Sequence, residues 1–311
     1  MVAEMSAPIT QSGRKLGPQL RANLLANRIS TWLYRHSRAR VVLLLTLPVL
    51  WLGLAYLGSL LVMLVSSFWS VDSFTGQINH NFSFGNFQQL LHDPVYRTIA
   101  LRSLLVALSA TLIDALLAIP IAFYIAKVLR PRFRNVVIAL VLVPLWASYL
   151  VKTYAWRSMF SNGGVLDWLL KPFGMHTPGF GILATTFTLA YLWLPYMILP
   201  IYAGLERLPN SLLEASSDLG ATAGKTFRSI VLPMVYPAIF AGSIFTFSLS
   251  LGDYIVVKIV GGTTQLVANV IADNVGVAGN LPFAAAMALM PIATILAYLF
   301  VVRRTGALEN F

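Results

Sequence analysis

Long apolar stretches alternate with shorter polar ones along most of this chain. After a polar beginning, six apolar segments run at about 41–68, 98–126, 135–154, 181–205, 236–260 and 282–302. Each is close to the roughly 20 residues that carry a helix across a bilayer. Inside hydrocarbon no water pairs with the backbone, so segments of this length are predicted to be helices that satisfy their own amides. The expected fold is therefore an all-α polytopic membrane protein with six transmembrane helices. They form one domain over 41–302, preceded by a basic tail (1–40) and followed by a short one (303–311). "STWLYRHSRAR", at the end of the first tail, is predicted to form an interfacial helix. No repeat of fixed period occurs, and the two three-helix halves show no likeness, which gives an inverted-repeat transporter no support.

Composition agrees with the pattern. The chain is 58% hydrophobic and 11% charged, whereas about a quarter of the residues in a soluble domain are charged. The net charge of +11 is read through the bias of basic residues toward the cytoplasmic side. With the first tail inside, sixteen Lys and Arg fall in inside segments and six in or beside outside ones. Both termini are thus expected in the cytoplasm, with the chain crossing the cytoplasmic (inner) membrane several times. Membrane lipid then explains the charge, and no nucleic-acid partner is expected. There is no cysteine, and His36, His80, His92 and His176 are scattered outside the spans, so neither a metal site nor a catalytic residue is expected.

Two connections stand out. The outer segment 156–180 contains "WRSMFSNGGVLDWLLKPFG", predicted to hold a short amphipathic helix between Gly163–Gly164 and Gly174. The inside connection at about 206–235 contains "GATAGKT". A phosphate-binding loop needs four residues between its glycines and a strand before it. Gly220 and Gly224 are separated by three, and "NSLLEASSDL" before them reads as a helix capped by Asn210 or Ser211 and ended at Gly220. ATP is therefore not expected to bind this chain. "TAGKTFRSIV" reads as a second helix stopped at Pro233. From the residues alone, these two short helices are either a partner-docking protrusion or a solvated loop.

The spacing Glu214-Ala215-Ser216, Gly220-Ala221, Phe227, Ile230, Leu232-Pro233 and Pro237 resembles the EAA loop of ABC-importer permeases, which reads E-A-A-x(3)-G-A-x(5)-F-x-x-I-x-L-P-x(3)-P. Ser216 departs from the usual second alanine. In that family the loop is a coupling helix docked on a cytosolic ATPase. The resemblance implies that Glu214, Ala215, Ser216, Asp218, Gly220 and Ala221 make that contact. It also implies partners: a dimer of ATPase subunits holding the ATP and magnesium, a second homologous permease and an extracytoplasmic solute-binding protein. "VLVPLWASYLVKTYAW" and "SLSLGDYIVVKIVGG" look like the spermidine/putrescine branch, although opine, aminophosphonate, amino-acid and ferric-iron permeases share parts of them.

Charge inside a membrane is costly and usually has a task or a partner. Asp114, near the middle of the second span, and Asp253, in the outer half of the fifth, are the two carboxylates concerned. Each either lines a polar path or pairs with Arg102, Lys152, Lys258 or a neighbouring helix. For a polyamine, carboxylates would meet the ammonium groups, and Tyr149, Tyr154, Trp156 and Tyr254 would offer aromatic faces. Lys258 raises the local potential and opposes a cation. An importer of another solute remains the alternative, with a stand-alone secondary transporter beyond it.

Overall fold

The computed structural model describes residues 37–72 and 75–304. The tail to residue 36, with most of the expected interfacial helix, and residues 305–311 lie outside this range.

Helix α1 (Ser37–Leu52) passes through a widened turn at Gly53–Leu57 into α2 (Gly58–Ser66). The chain divides into two compact units at Val62 and Met63. In the first unit Leu47, Trp51 and Leu54 expose large apolar side chains, the surface a helix needs when lipid is its solvent.

The second unit opens with a two-stranded antiparallel ribbon, β1 (Ser70–Val71) and β2 (Ile78–Asn79), and with α3 (Gly85–His92). Helix α4 (Pro94–Phe123) begins sharply. Asp93 accepts the Val95 amide at 2.9 Å, and Pro94 occupies the first turn, where its missing N–H costs nothing. A widened turn at Tyr124–Val128 completes a 35-residue span.

The third apolar segment departs from expectation. It forms not one rod but two, α5 (Pro131–Trp146) and α6 (Tyr149–Phe160), and the stretch Tyr149–Phe173 that α6 opens is bent by 89° from α5. Ala147 and Ser148 between them have extended backbone, and Pro144 has already removed one hydrogen bond from the last turn of α5. A short helix, α7 (Val165–Leu170), follows between Gly163–Gly164 and the left-handed Gly174, where the amphipathic segment was expected.

Helix α8 (Ile182–Arg207) is the centre of the unit and touches α4, α5 and α6. Its buried Thr185, Thr186 and Thr188 return their hydroxyls to the carbonyls one turn back, at 2.9, 2.8 and 2.7 Å, so no hydroxyl is stranded. After it come α9 (Asn210–Asp218), α10 (Ala223–Thr226) and α11 (Leu232–Leu251). Pro233 does not stop a helix here. Ala223–Leu251 runs as one 29-residue helix through a widened turn at Phe227–Val231. That turn contains Ser229, whose carbonyl a regular helix would press against the Pro233 ring.

The fifth segment, expected to continue to 260, instead breaks at Gly252–Tyr254 before α12 (Ile255–Val260). Helices α13 (Val267–Gly276) and α14 (Leu281–Arg304) end the described chain. Among the described residues, five helices are thus long and apolar enough to cross a membrane, or six if the bent pair is counted as one span.

Helix α8 meets α11 at two small residues. A Cβ on Gly204 would lie 2.8 Å from the Ala238 Cβ. One on Gly242 would lie 2.7 Å from the Met197 Sδ and 3.1 Å from its Cα. Small residues bring membrane helices close enough for dispersion to bind them, because lipid tails leave little hydrophobic drive between helices.

Candidate functional site

At one end of the bundle, α8 runs out at Arg207 and the chain folds into the α9–α10 hairpin. Helix α9 starts after Pro209, so Asn210 is its first residue and not its cap. The Asn210 side chain instead accepts the Lys127 ammonium at 3.0 Å, which also donates to the Leu208 carbonyl at 2.6 Å. This clasp ties the hairpin to the end of α4. Gly220, at φ +74°, takes the left-handed conformation that turns the chain, and the Thr222 hydroxyl accepts the Lys225 amide to start α10. Gly220–Thr226 is therefore a turn running into α10, preceded by a helix where a phosphate-binding loop would have a strand.

Ser216 is buried, and its hydroxyl meets that of Thr226 at 2.8 Å, joining the two arms. Leu213, Phe227 and Ile230 pack against the buried core beneath, and Phe227 sets its ring edge-on to Phe123. The remaining face is free. Glu214, Ala215, Asp218 and Gly220 are exposed, and Ala221 is half-buried. Leu219, absent from the expected contact set, is 88% exposed at the tip. Its one sequence signal is its position just before the turning glycine.

At the other end, the two interruptions in the helices come together. Asp253, 8% exposed at the break after α11, accepts the Val256 amide at 2.9 Å through one oxygen and the Tyr149 hydroxyl through the other. Tyr149 is the first residue of α6, just after the third-span bend. Its ring stacks on Trp193 of α8 at 6.1 Å. Trp193 was not expected from sequence, and its buried indole N–H has no hydrogen-bond partner among the described residues. Asn269 donates to the Tyr254 carbonyl at 3.3 Å, holding the break from the α13 side.

The other expected residues are distributed around this junction. Tyr254 is exposed beneath Lys258, 5.8 Å from ammonium to ring centre. Trp156 packs against Phe160 and Tyr191, and Tyr154 is exposed. Lys258 pairs with Asp273 at 2.8 Å and not with Asp253 or Asp114, so its charge is matched within the chain.

Asp114 stands apart. It is fully buried in α4, and neither carboxyl oxygen has a hydrogen-bond partner among the described residues. The expected pairing with Arg102, Lys152 or Lys258 is not made. A stranded buried polar group costs about 1–3 kcal/mol, and an apolar isostere removes that cost. Asp114→Leu, which keeps the branched shape, is therefore expected to raise the melting temperature of the solubilised chain by several degrees. A lower melting temperature would show that the carboxyl has a stabilising partner.

Residues 97–307 match the family described as binding-protein-dependent transport system inner membrane component. The chain is 39% identical over 297 residues to the inner membrane ABC transporter permease protein YdcU of Escherichia coli (strain K12), covering 91% of this chain and 95% of that one. It is 33% identical over 225 residues to the spermidine/putrescine transport system permease protein PotB of Haemophilus influenzae, covering 71% and 78%. Among solved structures, a bacterial ABC transporter involved in the import of the acidic polysaccharide alginate shares the fold. Its TM-score is 0.69 at 17% identity, over 89% of this chain and 99% of that one.

Proposed function

The chain belongs to the family of binding-protein-dependent transport system inner membrane components, and from that membership we propose that it is one transmembrane permease of an ATP-driven importer for a polyamine such as putrescine or spermidine. The free face of the α9–α10 hairpin is the observation that carries the first part. Glu214, Asp218 and Leu219 are bare on an element clasped at its start by Lys127. Such an element is built to receive push and pull from a docked protein.

In this reading the partner is a pair of cytosolic ATPase subunits that hold the ATP and magnesium. A second permease completes the pathway, and an external binding protein delivers the solute. The basic tail, the Lys127–Arg134 connection and the hairpin then lie in the cytoplasm, with both termini. Closure of the ATPases moves the hairpins, and the two permeases rock to open alternately on each side.

The substrate class rests on likeness to the PotB proteins and on the Tyr149–Asp253–Trp193 junction. A carboxylate flanked by aromatic faces suits an alkyl ammonium. Lys258 does not oppose it, because Asp273 balances that charge at 2.8 Å. An arriving ammonium replaces the Tyr149 hydroxyl on Asp253 and frees the bend of the third span from the fifth.

Uptake of labelled putrescine and spermidine into proteoliposomes containing the whole complex tests this. Wild-type complex is expected to accumulate at least one of them with ATP. Asp253→Asn is expected to lower uptake roughly tenfold, the loss of one charge-assisted contact, while the subunits still copurify. No polyamine uptake, alongside ATP-driven uptake of an amino-acid-like or anionic solute, would overturn the substrate assignment and leave the importer standing.

A further inference from the structure

Arg102 has no hydrogen-bond or ion-pair partner among the described residues, yet it lies on a membrane-spanning helix. It is half-buried and lines two adjoining cavities of about 350 and 360 Å³, which also share Thr98. The first is a groove between α4 and α8 walled by Leu101, Leu105 and Ile182. The second opens beside it toward Thr263 and Gln265. The first cavity is thus largely apolar, the second adds the polar Thr263 and Gln265 to an apolar lining, and Arg102 belongs to both.

The depth of Arg102 follows from the helix itself. Pro94–Val128 is continuous, and Lys127, clasped to the hairpin at its far end, is a charge that belongs at the edge of the bilayer core. Hydrocarbon about 30 Å thick takes roughly 20 residues at 1.5 Å each, which reaches from Lys127 to about Ala107. Arg102 lies about one and a half turns beyond, at the level of lipid phosphates.

The neighbouring surface indicates what covers it. Leu101, Leu105, Leu108, Leu112 and Leu116 are exposed along one stripe of α4, whereas Ser103, Ala107, Ala110, Ala118 and Ala122 are buried on the other side. Helix partners in membranes favour the small residues, and the leucine stripe is the face left to lipid.

We propose that the groove holds one anionic phospholipid, with its phosphate on Arg102 and Thr98, an acyl chain along Leu101, Leu105 and Ile182, and its polar end toward Gln265. The cation supplies selectivity over zwitterionic lipid, whose own ammonium weakens the attraction. Because the lipid lies against both α4 and α8, it supports their packing at the end remote from the hairpin. Only the leaflet, the outer one, depends on the orientation proposed above.

The test reconstitutes the whole complex in nanodiscs of equal parts phosphatidylglycerol and phosphatidylcholine, and reads the retained lipids by native mass spectrometry after detergent release. Wild type is expected to keep one phosphatidylglycerol per copy of this chain. Arg102→Gln is expected to weaken retention about tenfold, the loss of a charge-assisted contact, and Arg102→Lys to restore most of it. Thr98→Phe, which fills both cavities without altering charge, is expected to displace the lipid as well. Retention of the two lipids in equal proportion by wild type would overturn the proposal. So would a photo-crosslinker at Leu105 that captures a second protein subunit in place of lipid.

Discussion

Glu214→Lys is expected to leave the chain inserted in the membrane and to reduce ATP-driven uptake by roughly a hundredfold or more, because a like charge placed in a docked interface costs several kcal/mol. The reasoning begins with the isolation of this side chain. Glu214 is exposed on α9 and makes no ion pair among the described residues, so its replacement breaks nothing inside the chain. Of the anchors of the hairpin, Ser216 on Thr226 lies two residues on and so on the other side of α9, and Asn210, one turn before Glu214, holds Lys127 through its own side chain. Two measurements are needed together. Membrane yield and thermal stability should match wild type, and the ATPase should no longer copurify or should hydrolyse ATP without transport. Full uptake by the variant would remove Glu214 from the docking surface. Leu219→Asp serves as the partner experiment, since it alters the same face through an apolar contact at the tip.

Gly242→Leu is expected to act through stability, with a loss of well-folded chain too large for detergent extraction to hide. A Cβ alone would come within 3.1 Å of the Met197 Cα, and backbone cannot turn aside as a side chain does. The added branch must part α8 from α11, the pair that forms much of the buried interior. Overpacking of this kind costs about 1–3 kcal/mol, and separation of the helices also forfeits dispersion attraction along their length. Met197→Ala in the same chain should recover part of the loss by making room at the Sδ, although the approach to the Cα remains. Normal yield and melting temperature for Gly242→Leu would show that the two helices do not need this close approach. Gly224→Ala is the matched control, because a Cβ there meets nothing within 4 Å.

The all-helical, membrane-spanning character was legible because its signal is runs of apolar residues whose length bilayer thickness sets. The hairpin was legible through spacing, with Gly220 turning the chain where the left-handed conformation is needed. The breaks were not. Ala147 and Ser148 bear no mark of the 89° bend, and Pro144 precedes it by nearly a full turn without requiring it. The end of α11 at Gly252–Tyr254 depends on Asp253 capturing the Val256 amide and the Tyr149 hydroxyl, and Tyr149 is 104 residues away in sequence. Pro233 misled because a proline usually ends a helix, and the widened turn before it removes the clash. The isolation of Asp114 is a tertiary fact that no local pattern encodes. Ser216 reads as a small variant at a contact position, yet its hydroxyl works inside the hairpin on Thr226.

In the importer proposed above, the helix from Ala223 to Leu251 acts as a first-class lever. Its 29 residues span about 43 Å at 1.5 Å each, and a tilt of about ten degrees around Gly242 sweeps the hairpin end by about 5 Å and the other end by about 2 Å in opposite directions. The fulcrum lies near Gly242, where the backbone of α8 is closest. The hairpin holds the effort end, and Asp253 with its Tyr149 latch lies just past the load end. The widened turn at Phe227–Val231 is the compliant section of the arm, and stiffening it should sharpen the stroke while narrowing the range of postures the docked partner can accept.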